Sequence, residues 1–511
     1  LIGSFSMNVR RSLSVLACCV LALVLVSCAT SQPKQLTILQ TNDFHASFLP
    51  HEAGWVQSDP KPLVGGYLSI AHLVDSLRKA KPAVLFLDAG DVMTGSPISE
   101  YDYQGAKGGG LFVMMNTLGY DAWTIGNHDL DISQDNLQKL TAIAKFPIVS
   151  ANLVDTAGRF PFHNKEYVIV ERGGLRIGIL GLMSSELFRL TNTNNLQGLK
   201  VLPPVATAQR VIDILDPQTD LIIALTHQGV DEDSVLAANT HGLDVIIGGH
   251  SHTRLKRPKL VQGVVICQAG SNGENLGQLD ITVDHDSVTS YDGRLITPWA
   301  VDRHETSELA TLVKEFSEKV NAEYGEVIGT LSMDWKRTGA SESAIGGFVA
   351  DALREGSGAD IAVTNSSGIR KDLQAGPVKK LDLFEISPFR NYLSTFPLQG
   401  SAIRELLQRH VATLADGKSP IQFSGVTCTW KRKDGKGVLE TAKVGGVDLD
   451  DAKTYTFGTS DFVVDQADKY LGFTPTGVTS TRTTIFEALI AKVLKEKQLS
   501  APASVRFTED H

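Results

Sequence analysis

The sequence predicts an α/β protein of two domains, a layered α/β domain followed by a smaller α+β one. Three observations predict it. The chain's 511 residues exceed what a single hydrophobic core organises, so two cores of ordinary size are expected. From Leu36 to about Pro298, short apolar runs alternate with stretches of helical spacing and polar loops, the pattern of buried strands joined by helices. A charged stretch free of Gly and Pro, Glu305 to Tyr324, then precedes a second strand-bearing region and reads as an interdomain helix.

Residues 1–28 read as a signal peptide. Arg10 and Arg11 precede an apolar run from Leu13 to Val26 that is too short to span a membrane comfortably, and the run closes on Leu25-Val26-Ser27-Cys28. That tetrapeptide resembles a bacterial lipobox, which implies lipid on Cys28 at the mature N-terminus. Met7 reads as the start, with Leu1 to Ser6 upstream of it. The expected location is the bacterial cell envelope, anchored to a membrane by lipid and facing the periplasm or the outer surface. Of five cysteines, Cys18 and Cys19 fall in the signal and Cys28 in the lipobox. Cys267 and Cys428 remain, and they read as buried thiols rather than as a disulfide framework or a thiolate zinc motif.

The first domain is expected over residues 29–304. Its strands should cover 36–39, 84–87, 122–125, 177–180, 221–225 and 245–247, with helices over 65–79 and 135–144. A linker helix takes 305–326. The second domain, 327–511, should carry helices near 345–354 and 401–413 and strands near 361–364 and 455–458. Neither an internal repeat nor a low-complexity tract interrupts it.

Charge narrows the function classes. Forty-eight Lys plus Arg against 57 Asp plus Glu give a formal net charge of -9, which excludes a nucleic-acid-coating surface. An anionic substrate must therefore meet local positive charge, from bound metal ions or a small arginine cluster.

The chemistry lies at the ends of the apolar runs. Run 36–39 leads into Asp43-Phe44-His45, run 84–87 into Asp88-Ala89-Gly90-Asp91, and run 122–125 into Gly126-Asn127-His128-Asp129. Run 221–225 leads into Thr226-His227, and run 245–247 into Gly248-Gly249-His250-Ser251-His252. Carboxyl ends of strands are where layered α/β sheets place ligand sites. Carboxylate, imidazole and amide oxygen suit Mn, Zn, Fe, Co or Mg rather than a soft-metal site. One ion does not need so many ligands. Two ions about 3.5–4 Å apart do, bridged by one carboxylate, and such a pair clamps the attacking and leaving oxygens of a phosphoryl transfer. Each element alone is weak, since a strand-end His is usually a satisfied loop residue; the ordered set of five is not.

In leader, order and spacing, Asp43-x-His45, Gly90-Asp91, Gly126-Asn127-His128-Asp129, His227 and Gly249-His250-Ser251-His252 resemble the blocks of the calcineurin-like metallophosphatases. Thr41-Asn42-Asp43-Phe44-His45 and Gly126-Asn127-His128-Asp129-Leu130-Asp131 resemble the 5'-nucleotidase branch. The resemblance implies a four-layer α/β/β/α sandwich for the first domain and a substrate-binding α+β second domain. It implies that Asp43, His45 and His252 hold one divalent metal ion, that Asn127, His227 and His250 hold the other, and that Asp91 bridges them. His128 would act on the leaving group or the charged transition state, with Asp131 orienting its ring. Attack on phosphorus would come from a hydroxide held by the two ions, whose identity stays open among Zn, Mn, Co and Mg.

In the second domain, Asn365-Ser366-Ser367-Gly368-Ile369-Arg370 is a polar turn ending in a guanidinium, a group suited to bidentate capture of phosphate. Ser387-Pro388-Phe389-Arg390-Asn391 and Asp461-Phe462, with Asp468 six residues after that phenylalanine, supply two rings able to stack on a planar base. Such stacking contributes roughly 1–3 kcal/mol per contact. The same family has Asn-Gly-Gly-Gly-Ile-Arg, Pro-Phe-Gly-Asn and Asn-Phe or Asp-Phe followed by Asp at these places. The resemblance therefore implies substrate binding by Asn365, Arg370, Phe389, Asn391, Phe462 and Asp468, and a rotation of this domain towards the metals. The chain departs from the pattern at Ser366 and Ser367, at Arg390 where the family has glycine, and near Gly339, where the family's upstream arginine is out of register and Arg337 stands close by. The expected protein is a monomeric hydrolase of nucleotide phosphate esters that binds no nucleic acid. The alternatives are a nucleotide-sugar hydrolase or 2',3'-cyclic phosphodiesterase on the same centre and, more remotely, an inactive lipid-tethered nucleotide-binding protein.

Overall fold

A computed structural model describes residues 32–300, 306–500 and 505–510. Cys28 and the apolar run before it lie outside the described residues. The first sheet begins with four parallel strands, β1 (Lys34–Thr41), β2 (Val84–Asp88), β3 (Ala122–Thr124) and β4 (Ile148–Val149). A second sheet comes next, with β5 (Tyr167–Arg172), β6 (Leu175–Met183), β7 (Leu221–His227), β8 (Val245–Gly248), β9 (Lys259–Val261) and β10 (Val264–Cys267) in the order β5-β6-β7-β8-β10-β9. Its inner four strands are parallel. The chain then returns to the first sheet through β11 (Leu276–Val283) and β12 (Val288–Ile296), giving the order β12-β11-β1-β2-β3-β4.

Alternation along the strands explains why the runs are mainly apolar on both faces. Leu36, Ile38, Leu85 and Leu87 face Ile177, Ile223, Leu225 and Ile247 in a core between the two sheets. The intervening residues Leu39, Phe86 and Trp123 face outward into a second core with the helices α1 (Tyr67–Ala80), α2 (Gly109–Leu118) and α3 (Gln134–Ile143). On the far side, Leu180, Ile222, Ala224 and Ile246 pack against α4 (Pro204–Leu215) and α5 (Val230–Ala238). Strands buried on both faces are mostly apolar, and the polar residues they carry, such as Thr41, Asp88 and His227, stand largely at their carboxyl ends. The result is the expected four layers, helix, sheet, sheet, helix.

The helix after this domain is α6 (Glu308–Tyr324), started by Ser307, whose hydroxyl accepts from the Ala310 amide. It is more than a connector. Leu309, Leu312, Val313, Phe316 and Val320 are buried in the outer core of the first sheet, with the Phe316 ring so close that a Cβ on Gly110 would lie 2.5 Å from it. Its last residue, Tyr324, stacks edge-on against Phe384 of the second domain, 5.5 Å between ring centres.

The second domain is built on a five-stranded sheet of β13 (Ile361–Asn365), β14 (Tyr392–Gln399), β15 (Ile421–Ser424), β16 (Thr454–Ser460) and β17 (Thr479–Thr484), ordered β15-β13-β16-β14-β17. Helix α7 (Ala344–Ser357) and helix α9 (Ile485–Glu496) cover one face, and α8 (Gly400–Ala415) packs on the other. Cys267 and Cys428 are free buried thiols, as the sequence suggests. Among the described residues, no helix is long and apolar enough to cross a membrane.

Removing the Phe316 ring leaves a hole between α6 and α2. Phe316→Ala is expected to cost about 3–5 kcal/mol, read as a lower urea midpoint for the first domain by circular dichroism. An unchanged midpoint would mean that α6 is a tether and not part of that core.

Candidate metal centre and substrate cavity

Five strand ends from the two sheets converge on one point. β1 runs out into Asp43 and His45, β2 into Asp91, β3 into Asn127 and His128, β7 ends on His227, and β8 leads to His250 and His252. The turns beyond them are tight. Asp43, His45, Asp91, His250 and His252 all adopt positive φ, between 47° and 76°, a region that residues other than glycine enter at a cost. Gly126 is required by crowding: a Cβ there would lie 2.2 Å from the Asp91 carboxylate.

Two groups of donors result. Asp43, His45 and His252 offer ligand atoms that all lie within 4.8 Å of one another, and so do Asp91, His227 and His250. The Oδ2 of Asp91 is 3.1 Å from His227 Nε2 and 3.9 Å from His45 Nε2, a position between the two groups that suits a shared carboxylate. The amide oxygen of Asn127 lies 3.2 Å from His227 Nε2 and joins the second group. His227 Nδ1 donates to the Ala89 carbonyl at 2.7 Å and His45 Nδ1 to the Thr94 carbonyl at 3.1 Å. Each bond fixes the ring and turns Nε2 inward, the arrangement typical of metal-ligating histidines. Oxygen and imidazole donors with no thiolate fit divalent cations such as Mn, Zn, Co or Mg.

Electrostatics shows what holds so many polar groups out of water. Burial would raise the Asp91 carboxyl, but the imidazoles of His227, His128 and His45 outweigh it and hold it well below the usual range. For His227, burial acts downward, yet Asp91 and Asp43 lift it to about 10. His250 is pushed down to about 4 by burial and by His227. The carboxylates that draw a proton onto His227 are those that would hold a cation, so proton and cation compete for one place.

Several supporting residues escaped the sequence reading. The Asp129 carboxylate accepts four backbone amides, from Asp91, Val92, Met93 and Gly126, at 2.8–3.1 Å, and so ties the β2 and β3 loops together. Asn42 donates to Asp43 Oδ2 and to the Gly270 carbonyl, and accepts from the Ala269 amide. Gln268 donates to the Gly249 carbonyl and accepts from the Ser251 hydroxyl, clamping the loop that carries His250 and His252. Asp129 and Asn42 stand inside the quoted motifs, so adjacency was their signal; Gln268 has no local signal, because its partners lie 17 and 19 residues away.

His128 is set apart from both donor groups. Its Nδ1 pairs with Asp131 Oδ2 at 2.7 Å, and its backbone amide donates to Asp91 Oδ1. Burial would lower the ring, but Asp131 and Asp91 prevail and hold it above the ordinary histidine value.

The second domain closes over this point. Arg370 Nη2 donates to His45 Nε2 at 3.2 Å, and its guanidinium lies 6.0 Å from the Phe389 ring centre. The Phe389 ring is 5.6 Å from that of His128. A cavity of about 560 Å³ is lined by Asp91, Asn127, His128, Asp131, His250 and His252 from the first domain. From the second domain it is lined by Asn365, Arg370, Phe389, Asn391 and Phe462. Asp468 is exposed and does not line it; its neighbours Lys469 and Tyr470 do. Asp43, His45 and His227 lie behind the cavity wall, among the buried residues.

Two family models match separate stretches of the chain. Residues 36–254 match the calcineurin-like phosphoesterase family, and residues 326–474 match the C-terminal domain of 5'-nucleotidases. The chain is 29% identical to a 5'-nucleotidase of Vibrio cholerae, over 89% of this chain and 91% of that protein. It is 28% identical to a trifunctional nucleotide phosphoesterase of Bacillus subtilis over 86% of its own length, and spans 32% of that longer protein. The solved structure of a 5'-nucleotidase precursor from Thermus thermophilus superimposes with a TM-score of 0.81 at 27% identity, covering 93% of this chain and 99% of that one.

Asp129 gives the centre a direct handle. In Asp129→Asn one of the two acceptor oxygens becomes a donor facing backbone N–H groups, and metal affinity is expected to fall about 10–100-fold, measured by titration against a competing chelator. Unchanged affinity would show that the β2 and β3 loops hold their shape without it.

Proposed function

The chain belongs to the calcineurin-like phosphoesterases that carry a 5'-nucleotidase C-terminal domain, hydrolases that use two divalent cations, and on that footing we propose that it hydrolyses nucleotide phosphate esters at the centre described. The observation that carries this reading is that one cavity is lined both by Asp91, His250 and His252 and by Phe389 and Phe462. A phosphoryl group held by the first set leaves a planar base within reach of the aromatic rings in the same cavity.

Asp43, His45 and His252 would hold one cation, and Asn127, His227 and His250 the other, with Asp91 shared. When bound, the cations lower the pKa of water and neutralise phosphoryl oxygens. The chain's own residues do the rest. Arg370 adds a guanidinium where a third phosphoryl oxygen would lie, beside His45. His128, oriented through Nδ1 by Asp131, offers Nε2 to the leaving oxygen and gives it a proton as the ester bond breaks. Water supplies the new oxygen on phosphorus, and no covalent enzyme intermediate is needed. Phe389 and Phe462 would stack on the base, Asn365 and Asn391 lie beside them in the same wall, and Phe389 also shields the His128 ring from solvent. Asp468 has no role in this reading, because it stands outside the cavity.

A second reading has an observation in its favour. Another cavity, of about 420 Å³, opens on the far side of the centre, lined by His45, His252, Arg337 and Arg370 together with Ser47 and Asn272. Room there for a group beyond the scissile phosphorus favours a nucleotide sugar as a further substrate. The resemblance of Leu25-Val26-Ser27-Cys28 to a lipobox and the apolar run before it support, in this reading, a bacterial-envelope location with lipid on Cys28.

Phosphate release from AMP by the metal-loaded protein is expected to stop with a chelator. His128→Ala should lower kcat about 10²–10⁴-fold, while Phe462→Ala should act mainly on KM, raising it roughly 5- to 150-fold. Turnover that ignores the chelator, or an inert response to every nucleotide, would contradict the reading.

A further inference from the structure

The segment from Asp91 to Glu100 joins the metal centre to the second domain. Thr94 sits within it at φ 64°, a conformation that a β-branched residue rarely adopts. All of its polar atoms are engaged. Its amide donates to Ser99 Oγ at 3.1 Å, its hydroxyl donates to Asp131 Oδ2 at 2.9 Å, and its carbonyl accepts from His45 Nδ1 at 3.1 Å. One strained residue therefore touches the 3₁₀ turn Pro97–Glu100, the carboxylate that orients His128, and a candidate metal ligand.

Glu100 ends that turn. Its carboxylate, 15% exposed, meets Lys107 at 3.3 Å within the first domain and Arg390 Nε of the second at 2.7 Å. Arg390 follows Phe389 directly and stands where the family pattern has glycine. A glycine could make no such contact. Two arms thus reach His128 from the same ion pair: Arg390 to Phe389, whose ring lies 5.6 Å from the imidazole, and Glu100 to Ser99, Thr94 and Asp131. On another edge of the interface, the Thr193 amide and hydroxyl both donate to the Asp465 carboxylate, so the second domain is seated at more than one point.

An ion pair whose arginine is 60% exposed adds little to stability. Its position suggests a different use. We propose that Glu100 and Arg390 are a positioning pair. When the second domain seats, their contact fixes Phe389 over His128 and, through Thr94, holds Asp131 against the ring, so that the proton donor is aligned only while the cavity is closed. This rests on His128 acting as the acid, as proposed above.

The test is a double-mutant cycle on the full, metal-loaded chain, with Glu100→Gln, Arg390→Gln and both together, read as kcat and KM on AMP and on p-nitrophenyl phosphate. Each single change is expected to lower kcat roughly tenfold, and the double change to fall no further, because both singles break one contact. The exchanged pair, Glu100→Arg with Arg390→Glu, should recover part of the loss, the remainder reflecting the arginine at 100 facing Lys107. Thr94→Ser should keep kcat, and Thr94→Val, which lacks the donor to Asp131, should lose about the same tenfold. Reversing the distant pair Arg432 and Glu509 in the same way controls for charge alone. Losses that simply add, or that fall entirely on KM, would overturn the proposal. A protein that turns over p-nitrophenyl phosphate but no nucleotide would end the nucleotide reading, and the cycle would still be decided on that ester.

Discussion

Asp91 is a carboxylate almost wholly out of water, and the surrounding architecture keeps it charged. Its Oδ2 faces His227 and, at longer range, His45, while its Oδ1 accepts the His128 amide. An isolated buried charge is unfavourable by several kcal/mol, and this one is tolerated because three imidazoles surround it. The same arrangement makes it the shared point of the two donor groups. Every strand end that enters the centre is placed with respect to it, and the β3 loop can pass only because residue 126 has no side chain.

The sheets supply the rigidity that this crowding needs. Their strands are mostly apolar on both faces, the candidate ligands stand at or just beyond the strand ends, and they meet because the strands that carry them are parallel. Asp129 then ties the β2 and β3 loops together through four backbone amides, Gln268 clamps the glycine loop of β8, and Asn42 ties the β1 loop to residues 269 and 270. Left-handed backbone at five of the candidate ligands belongs to the same framework. A chain of ordinary loops would relax away from such geometry, whereas one clamped at both ends retains it.

Much of this was legible in the residues. The runs at 36–39, 84–87, 221–225 and 245–247 coincide with observed strands because apolar alternation on both faces leaves an unmistakable uniform run. The donor residues were legible because each follows a run at once, and the structure gathers them into two groups. What was not legible depends on distance along the chain. Gln268 and Thr94 act through partners that no local pattern names. The resemblance alone implies a substrate role for Asp468, whereas the short helices over 461–470 turn Lys469 and Tyr470 to the cavity and leave Asp468 outward. Helix α6 reads as a spacer from its charge, yet its buried stripe belongs to the first domain's core. Arg390 reads from sequence only as a departure from the family's glycine, because its partner Glu100 lies 290 positions earlier in the numbering.

If two cations share Asp91 between the ends of the two sheets, anomalous diffraction at the manganese edge from crystals grown with Mn²⁺ will locate both. Two peaks about 3.5–4 Å apart are expected, one beside Asp43, His45 and His252, the other beside Asn127, His227 and His250, with Asp91 touching both. A single peak, or two peaks that Asp91 does not join, would contradict the shared centre.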